Sequence, residues 1–513
     1  MPNSRYFQVP GSPRYFDRNK ILLVLMVALV ISLVQVSSVN NLLPIIEEHL
    51  HAQRADIQWV LSGYALAFGL LLVPAGRIGD IFGRSSMWII GMAVFTLGCT
   101  LCSLAISPLM LNTARIIQGV GAGIFSPQVT GMIQQYFEGR ARAKAFSYMG
   151  LAVSASVAVG PLISGGFVQL FGTIGWRHSF FFNVPLGLIG IISGFFLLPF
   201  AKERRTVGKK ATEVAEEYRK IQKKKGRIFK GRKGSKVDLD PIGMLLLSLT
   251  VLCLMLPFMT MFWWRWFLLI IGFSCAGLWI KWEEVYAKMG RFPMVNLRLF
   301  KIESYSYGTA IGAIQFLGTT SVFVVTSMVL QQALGLSALQ TGLIGLPNAI
   351  LSGIFAIIGG RFAISHGREC QFGALLLAAV SVAGVIPLAY TSLQLGWSPW
   401  LMSIPLALLG LAMGLQGSVN QTVTMMQVPA SHGGTAGGFQ QTSQRITTAV
   451  GNAMITAILF AFVSSEHHAT PHEWVLGSAV AFGTISVIVL IATLVAYVFM
   501  RRPRAGAMAP SNV

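Results

Sequence analysis

Charge is scarce in this chain of 513 residues: Asp, Glu, Lys and Arg together make up 11% of it, against roughly 25% in ordinary soluble domains. With 54% hydrophobic residues and 54 glycines, that scarcity excludes a typical soluble enzyme. It excludes disorder too, because disordered chains are polar and charge-rich. Acids are scarcest of all, 18 against 39 basic residues, which leaves a net charge of +21. In a soluble protein such an excess would point to nucleic acid, so the location of the charge decides its meaning. Cysteine is also rare. Cys99, Cys102, Cys253 and Cys275 lie in apolar runs and Cys370 follows a basic turn, so no disulfide framework is implied. The Cys99-x-x-Cys102 pair has no second pair to complete a zinc site and reads as small apolar residues in a helix. No HExxH, GxSxG or GxxxxGK string occurs, which leaves metalloprotease, serine-hydrolase and P-loop chemistry without a basis. No enzyme activity, cofactor or metal is expected.

Long apolar runs are plentiful. A membrane span needs about 20 apolar residues, and fourteen runs qualify, at about 21–43, 57–76, 87–107, 109–135, 145–170, 180–200, 241–261, 266–282, 305–331, 341–360, 371–391, 400–426, 438–463 and 474–500. The first run follows a polar stretch and no small-residue cleavage site ends it, so it reads as a span and not a cleavable signal. With both termini in the cytoplasm, 34 of the 39 basic residues fall on that side, and only Arg54, Arg177 and Arg265 fall outside. The excess is thus an orientation signal facing an anionic cytoplasmic leaflet, and the nucleic-acid reading is dropped. Phe262, Trp263, Trp264 and Trp266 form an aromatic belt at the outer end of spans 7 and 8. A multi-pass, monomeric protein of the plasma (inner) membrane is expected.

Two echoes divide the chain. Gly76-Arg77-Ile78-Gly79-Asp80-Ile81-Phe82-Gly83-Arg84 follows span 2, and Gly360 to Arg368 follows span 10 with Gly and Arg in matching register. Gly119, Gly121 and Gly123 of span 4 are answered by Gly410, Ala412 and Gly414 of span 12. That pattern fits two parallel six-helix halves. The expected organisation is a first half at 1–200, a basic loop at 201–240, two inserted helices at 241–282, a second half at 283–500 and a cytoplasmic tail at 501–513.

The Gly76–Arg84 string resembles the signature loop between spans 2 and 3 of the major facilitator superfamily. Arg115 with Gln118-Gly119-Val120-Gly121-Ala122-Gly123 resembles its span 4 motif, and Gly160-Pro161 with Gly165-Gly166 resembles its exporter motif in span 5. Phe182-Asn183-Val184-Pro185-Leu186-Gly187 matches the stretch that leads into span 6. As a whole the chain resembles the fourteen-span drug:proton antiporter branch. The resemblance implies an all-α membrane protein with the major facilitator fold, exporting amphipathic or drug-like small molecules by alternating access. It places Gly76, Arg77, Gly79, Asp80, Gly83 and Arg84 in a cytoplasmic latch that closes in the outward-open state, with Glu138 as a partner. It gives Gly160, Pro161, Gly165 and Gly166 the role of helix kinks.

One feature departs from that branch. Where it carries Asp in span 1, this chain has Gln35, followed by Asn40 and Pro44 in register. A desolvated carboxylate can take up and release protons, and an amide cannot. All 18 acids fall outside the spans or at their rims, with Glu47, Glu48 and Glu303 the nearest substitutes. The expected substrate path is therefore neutral and cationic, lined by Gln35, Asn40, Arg115, Gln118, Gln315, Asn348, Gln416, Asn420 and Arg445. Two intramembrane arginines without a matching acid favour an anionic or hydrogen-bonding substrate, so a carrier or flippase for an anionic metabolite or lipid stands as the alternative to a drug exporter.

Overall fold

A computed structural model of the chain describes residues 6–8, 15–200, 239–260, 262–289, 291, 293–463 and 470–503. Most of the 201–240 loop and of the 501–513 tail therefore lies outside the described residues, as does the side chain of Asn40. Among the described residues fifteen α-helices carry the architecture: α1 Arg18–Leu50, α2 Arg54–Phe82, α3 Arg84–Ser103, α4 Pro108–Tyr136, α5 Gly139–Phe171, α6 Gly175–Phe181 and α7 Asn183–Leu197. Then come α8 Pro241–Met259, α9 Phe267–Lys288, α10 Glu303–Met328, α11 Ala338–Phe362, α12 Gly367–Gln394, α13 Ser403–Met425, α14 Gly433–Phe460 and α15 Pro471–Arg501. Several ends follow from local chemistry. Ser107, Asp240, Ser337 and Thr470 cap helices by accepting from a backbone N–H three residues on. Gly83 stands between α2 and α3 at φ 110°, a backbone conformation open to glycine and strained for other residues.

Ten helical stretches among the described residues are long and apolar enough to cross a membrane, one of them running over 139–197 through α5, α6 and α7. Helices α4, α9 and α14 are not among them. Each has a reason. α4 carries Arg115 and four glutamines, α14 carries Gln440, Gln441, Gln444, Arg445 and Asn452, and α9 ends in Lys281, Glu283, Glu284 and Lys288. The polar residues of α4 and α14 face the interior of the bundle, where helix packing and not lipid is the environment.

Two large apolar clusters form. One is built wholly from residues 311–499. The other is built mainly from residues 21–198 and borrows Tyr305, Met425, Val428 and Ala436. Small residues allow the close helix contacts that bind each cluster. A Cβ on Gly119 would meet the Tyr64 carbonyl at 2.5 Å, and one on Gly410 would collide with the Asn348 backbone. The repeated glycines thus press α4 onto α2 and α13 onto α11 in the same way. The α8–α9 hairpin lies on the seam: Val251 and Met255 pack with Leu66 and Leu70 of α2 and with Ile446 and Ala449 of α14.

The polar stretch before α1 holds a short antiparallel pair, β1 Tyr6–Gln8 with β2 Tyr15–Asp17. Phe7 packs on Tyr136 of α4 at 5.2 Å between ring centroids.

Candidate functional site

Two places carry the polar chemistry. The first is the turn between α2 and α3. Asp80 is 5% exposed and its carboxylate takes five hydrogen bonds. Arg84 donates through Nε at 2.9 Å and Nη2 at 2.6 Å. Gly434 N at 3.1 Å, Thr435 N at 2.9 Å and the Thr435 hydroxyl at 2.8 Å supply the rest. Asp80 therefore caps the start of α14, where unpaired N–H groups and the helix dipole both favour an anion. Arg84 extends the clasp to the carbonyls of Gly131 and Ala430, each at 2.6 Å, and to Gln135 at 2.7 Å. Gln134 adds bonds to the carbonyls of Met425 at 2.8 Å and Val428 at 2.6 Å. Gly76 is needed because a Cβ there would stand 2.5 Å from the Gly434 carbonyl, and Gly79 because a Cβ would collide with Gln128. Two expectations change. Glu138 is exposed at the start of α5, carried outward by the turn at Phe137–Gly139, and Gln135 holds Arg84 instead. Arg77 and Arg84, expected at a cytoplasmic turn, are both buried there, 7% and 2% exposed.

The same end of the molecule holds the contacts between α5 and α11. Ser154 bonds Ser352 at 2.7 Å, a Cβ on Gly353 would meet Leu151 at 2.9 Å, and one on Gly360 would collide with Ser147. Toward the opposite end the two helices part: Cβ atoms on Gly165, Gly166, Gly342 or Gly345 would meet nothing within 4 Å. Helices α5 and α11 are thus clasped at the basic end and splayed at the other. Gly160 instead lies against Ser37 of α1, its carbonyl accepting from the Ser38 hydroxyl at 2.8 Å, and α5 runs unbroken through Pro161.

The second place is the centre. Arg115 is 1% exposed. It donates to the Val60 carbonyl at 2.8 Å and to Gln118, and lies 4.4 Å over the Tyr64 ring. Gln118 passes a bond on to Cys99 Sγ at 2.9 Å. Arg115 is therefore sealed among the helices of the N-terminal half, with its polar groups spent on protein. Arg445 differs. It is half-buried on α14, rests 4.8 Å over the Phe68 ring, and has no ion-pair partner among the described residues. Tyr64 and Phe68 stack at 6.1 Å and so separate the two guanidinium groups. From Ser443 to Val450 every residue of α14 is partly exposed, although α2, α4, α8 and α10 pack around it.

The remaining predicted residues divide in two. Gln35 bonds Asn183, Asn348 donates to the Leu406 carbonyl at 2.7 Å, Asn420 accepts from Gln371 at 2.6 Å, and Gln315 reaches Met413 Sδ at 3.1 Å. These are helix–helix bonds. Gln416 is 1% exposed, yet neither end of its amide has a partner, and the same holds for Gln440. Two unsatisfied buried amides cost free energy unless water or a ligand meets them. Gln440, Tyr64 and Phe68 are not among the residues the sequence singled out; aromatic residues in an apolar run carry no signal of their own.

Comparison with known proteins fits this geometry. The Major Facilitator Superfamily profile matches residues 25–452, and the chain belongs to that superfamily. It is a multi-pass membrane transporter of small molecules and not an enzyme. It is 28% identical over 464 residues to the probable actinorhodin transporter of Streptomyces coelicolor, covering 89% of this chain and 75% of that protein. It is 28% identical over 459 residues to the tetracenomycin C resistance and export protein of Streptomyces glaucescens, covering 88% and 76%. The proton:xylose symporter XylE superposes with a TM-score of 0.64 at 13% identity, covering 94% of this chain and 95% of that one, a likeness of fold alone.

Proposed function

We propose that the chain exports amphipathic small molecules by alternating access, with its basic end in the cytoplasm of a plasma membrane and α4, α9 and α14 crossing it with the ten apolar stretches. The distribution of Lys and Arg supports that orientation. In this reading the Asp80–Arg84 clasp is the cytoplasmic latch and the structure is the outward-open state. Rocking of the halves would break the clasp and bring the splayed ends of α5 and α11 together. Gln35 has no titratable proton, so span 1 supplies no coupling group. The names of the antibiotic-exporting relatives support the direction and the substrate class.

One observation favours an anionic group on that substrate. Arg445 presents a half-buried guanidinium, with an aromatic face beside it and no carboxylate among the described residues to neutralise it. A carboxylate or phosphate takes a guanidinium by charge-assisted, bidentate bonds, and the free amides of Gln416 and Gln440 would receive polar substituents of the same molecule. A carrier for an anionic metabolite or lipid stays as the second reading on the same observation. The test is thermal stabilisation of the purified chain by matched anionic, neutral and cationic amphipaths, because a ligand of the folded state stabilises it by mass action, about 2.7 kcal/mol at 100 times Kd. The proposal expects the anionic series to stabilise most. Stabilisation by the cationic series alone refutes it.

A further inference from the structure

The inserted hairpin carries two acids that sequence reading left at the cytoplasmic rim. Neither is solvated. Asp240, the cap of α8, is fully buried and Glu283, one residue past the expected end of span 8, is 1% exposed. Asp240 Oδ1 accepts from Gly243 N at 3.0 Å and from Trp282 Nε1 at 2.8 Å, and its Oδ2 from Met294 N at 3.2 Å. Glu283 Oε1 accepts from Trp279 Nε1 at 2.9 Å and Val295 N at 3.4 Å. Glu283 Oε2 is buried and has no partner. Asp240 thus has a donor on each oxygen, whereas Glu283 keeps one dry oxygen that suits a bound proton. The groups facing Glu283 are Asp240 from α8 and Arg77 from α2. The 294–297 segment offers Met294, Val295 and Leu297, and α14 offers Phe439.

This pair sits where the hairpin touches both sides of the bundle. Trp279, which holds Glu283, stacks on Phe439 of α14 at 6.2 Å. The same small apolar cluster contains Val73 of α2, one turn before Arg77. Gly438, next to Phe439, and Gly434, one turn earlier, are held against α2 by the close approach at Leu72 and Gly76. Separation of α2 from α14 at this end therefore pulls Trp279 away from one of its two supports and admits water to Glu283.

We infer that Asp240 and Glu283 form a proton-binding site that couples the inserted hairpin to the latch, holding one proton on Glu283 while the latch is closed and releasing it when the latch opens. Burial, and next the Asp240 charge, raise the Glu283 carboxyl to about 8, against the pull of the Arg77 guanidinium. Water entry removes the larger of these causes. Because the closed state binds the extra proton, it is favoured at low pH and loses ground as pH rises toward 8. His432, which faces Arg77, Asp80 and Arg84, is lowered to about 4, so its own titration ends below the range used to test Glu283.

The inference rests on the reading of the Asp80 clasp as a latch, and the experiment separates the two. Spin labels at Lys144→Cys and Ser365→Cys, exposed positions at the basic ends of α5 and α11, report the separation in full-length protein whose Cys275 and Cys370 are replaced by Ser. The closed population should fall as pH rises from 6.5 and level off above about 8. Glu283→Gln should stay closed across that range, and Asp240→Asn should move the levelling point down by about one pH unit. A pH-independent wild type, or Glu283→Gln that still responds as wild type does, overturns the inference. Asp80→Ala should be open at every pH. If it stays closed, the latch reading fails and this inference fails with it.

Discussion

Replacing Asp80 by Asn keeps the volume and removes the charge at the clasp. Three of the five bonds on that carboxylate cross from α2 to α14, and a single amide oxygen can keep one of them, or two if shared. A bond to a charged group contributes about 1.5–3 kcal/mol, and an anion at a partly buried helix start up to about 2 kcal/mol. The amide NH2 would also face N–H donors and the Arg84 guanidinium. Together these weaken the closed state by about 3 kcal/mol relative to the open one, a factor on the order of 100 in the equilibrium. The readout is alkylation of Ser147→Cys in protein lacking Cys275 and Cys370. Ser147 is 3% exposed, and its place against Gly360 opens only when α5 and α11 separate. Its modification rate should rise on the order of 100-fold in Asp80→Asn. An unchanged rate would mean that the clasp does not hold the two sides together.

Other substitutions separate closure from folding. A Cβ on Gly438 would stand 2.5 Å from the Leu72 carbonyl across the clasped seam, whereas one on Gly121 would collide with Phe95 inside the N-terminal cluster. Gly438→Ala should accelerate the same alkylation with little change in Tm, and Gly121→Ala should lower Tm by the several degrees that ~1–3 kcal/mol of overpacking implies; the reverse pattern would contradict the packing described. Gln134→Leu leaves the Met425 and Val428 carbonyls without their donor and should favour opening about 10-fold. His432 is neutral in the clasp because burial and Arg77 lower it to about 4. Its depressed value means that closure weakens as pH falls from about 6.5 toward 4. In Glu283→Gln the label distances should show that acid limb alone, and Glu283→Gln/His432→Gln should abolish it.

Much of this was legible in the sequence. The Gly76–Arg84 string announces a tight, charged turn, and Asp80 is recognisably a helix cap; which helix it caps is not, because its partner Gly434 lies 354 residues later. Spacing likewise gives the glycines of α4 and α13, since a small residue at each turn has one use in a packed bundle. The arginines looked equivalent because both interrupt apolar runs, and only the enclosure of Arg115 by Val60, Gln118 and Tyr64 sets Arg445 apart. The acids at 240 and 283 were the largest miss. Each stands beside a span end, where sequence alone predicts solvent, and the residues that bury them come from α2, α14 and the 294–297 segment. Chain distance hides such a site, and the tryptophans at 279 and 282, which donate to the two carboxylates, are the one local sign of it.

The claim that Arg445 receives the substrate is tested most directly by flux in reconstituted vesicles. An amphipathic anion and its neutral ester are compared in wild type, Arg445→Gln and Arg115→Gln. Arg445→Gln should slow the anion at least 10-fold, the loss of one charge-assisted pair worth about 1.5–3 kcal/mol, and leave the ester within about two-fold. Arg115→Gln should slow both together, because it loosens the fold around Tyr64. Equal losses for anion and ester in Arg445→Gln would contradict the account.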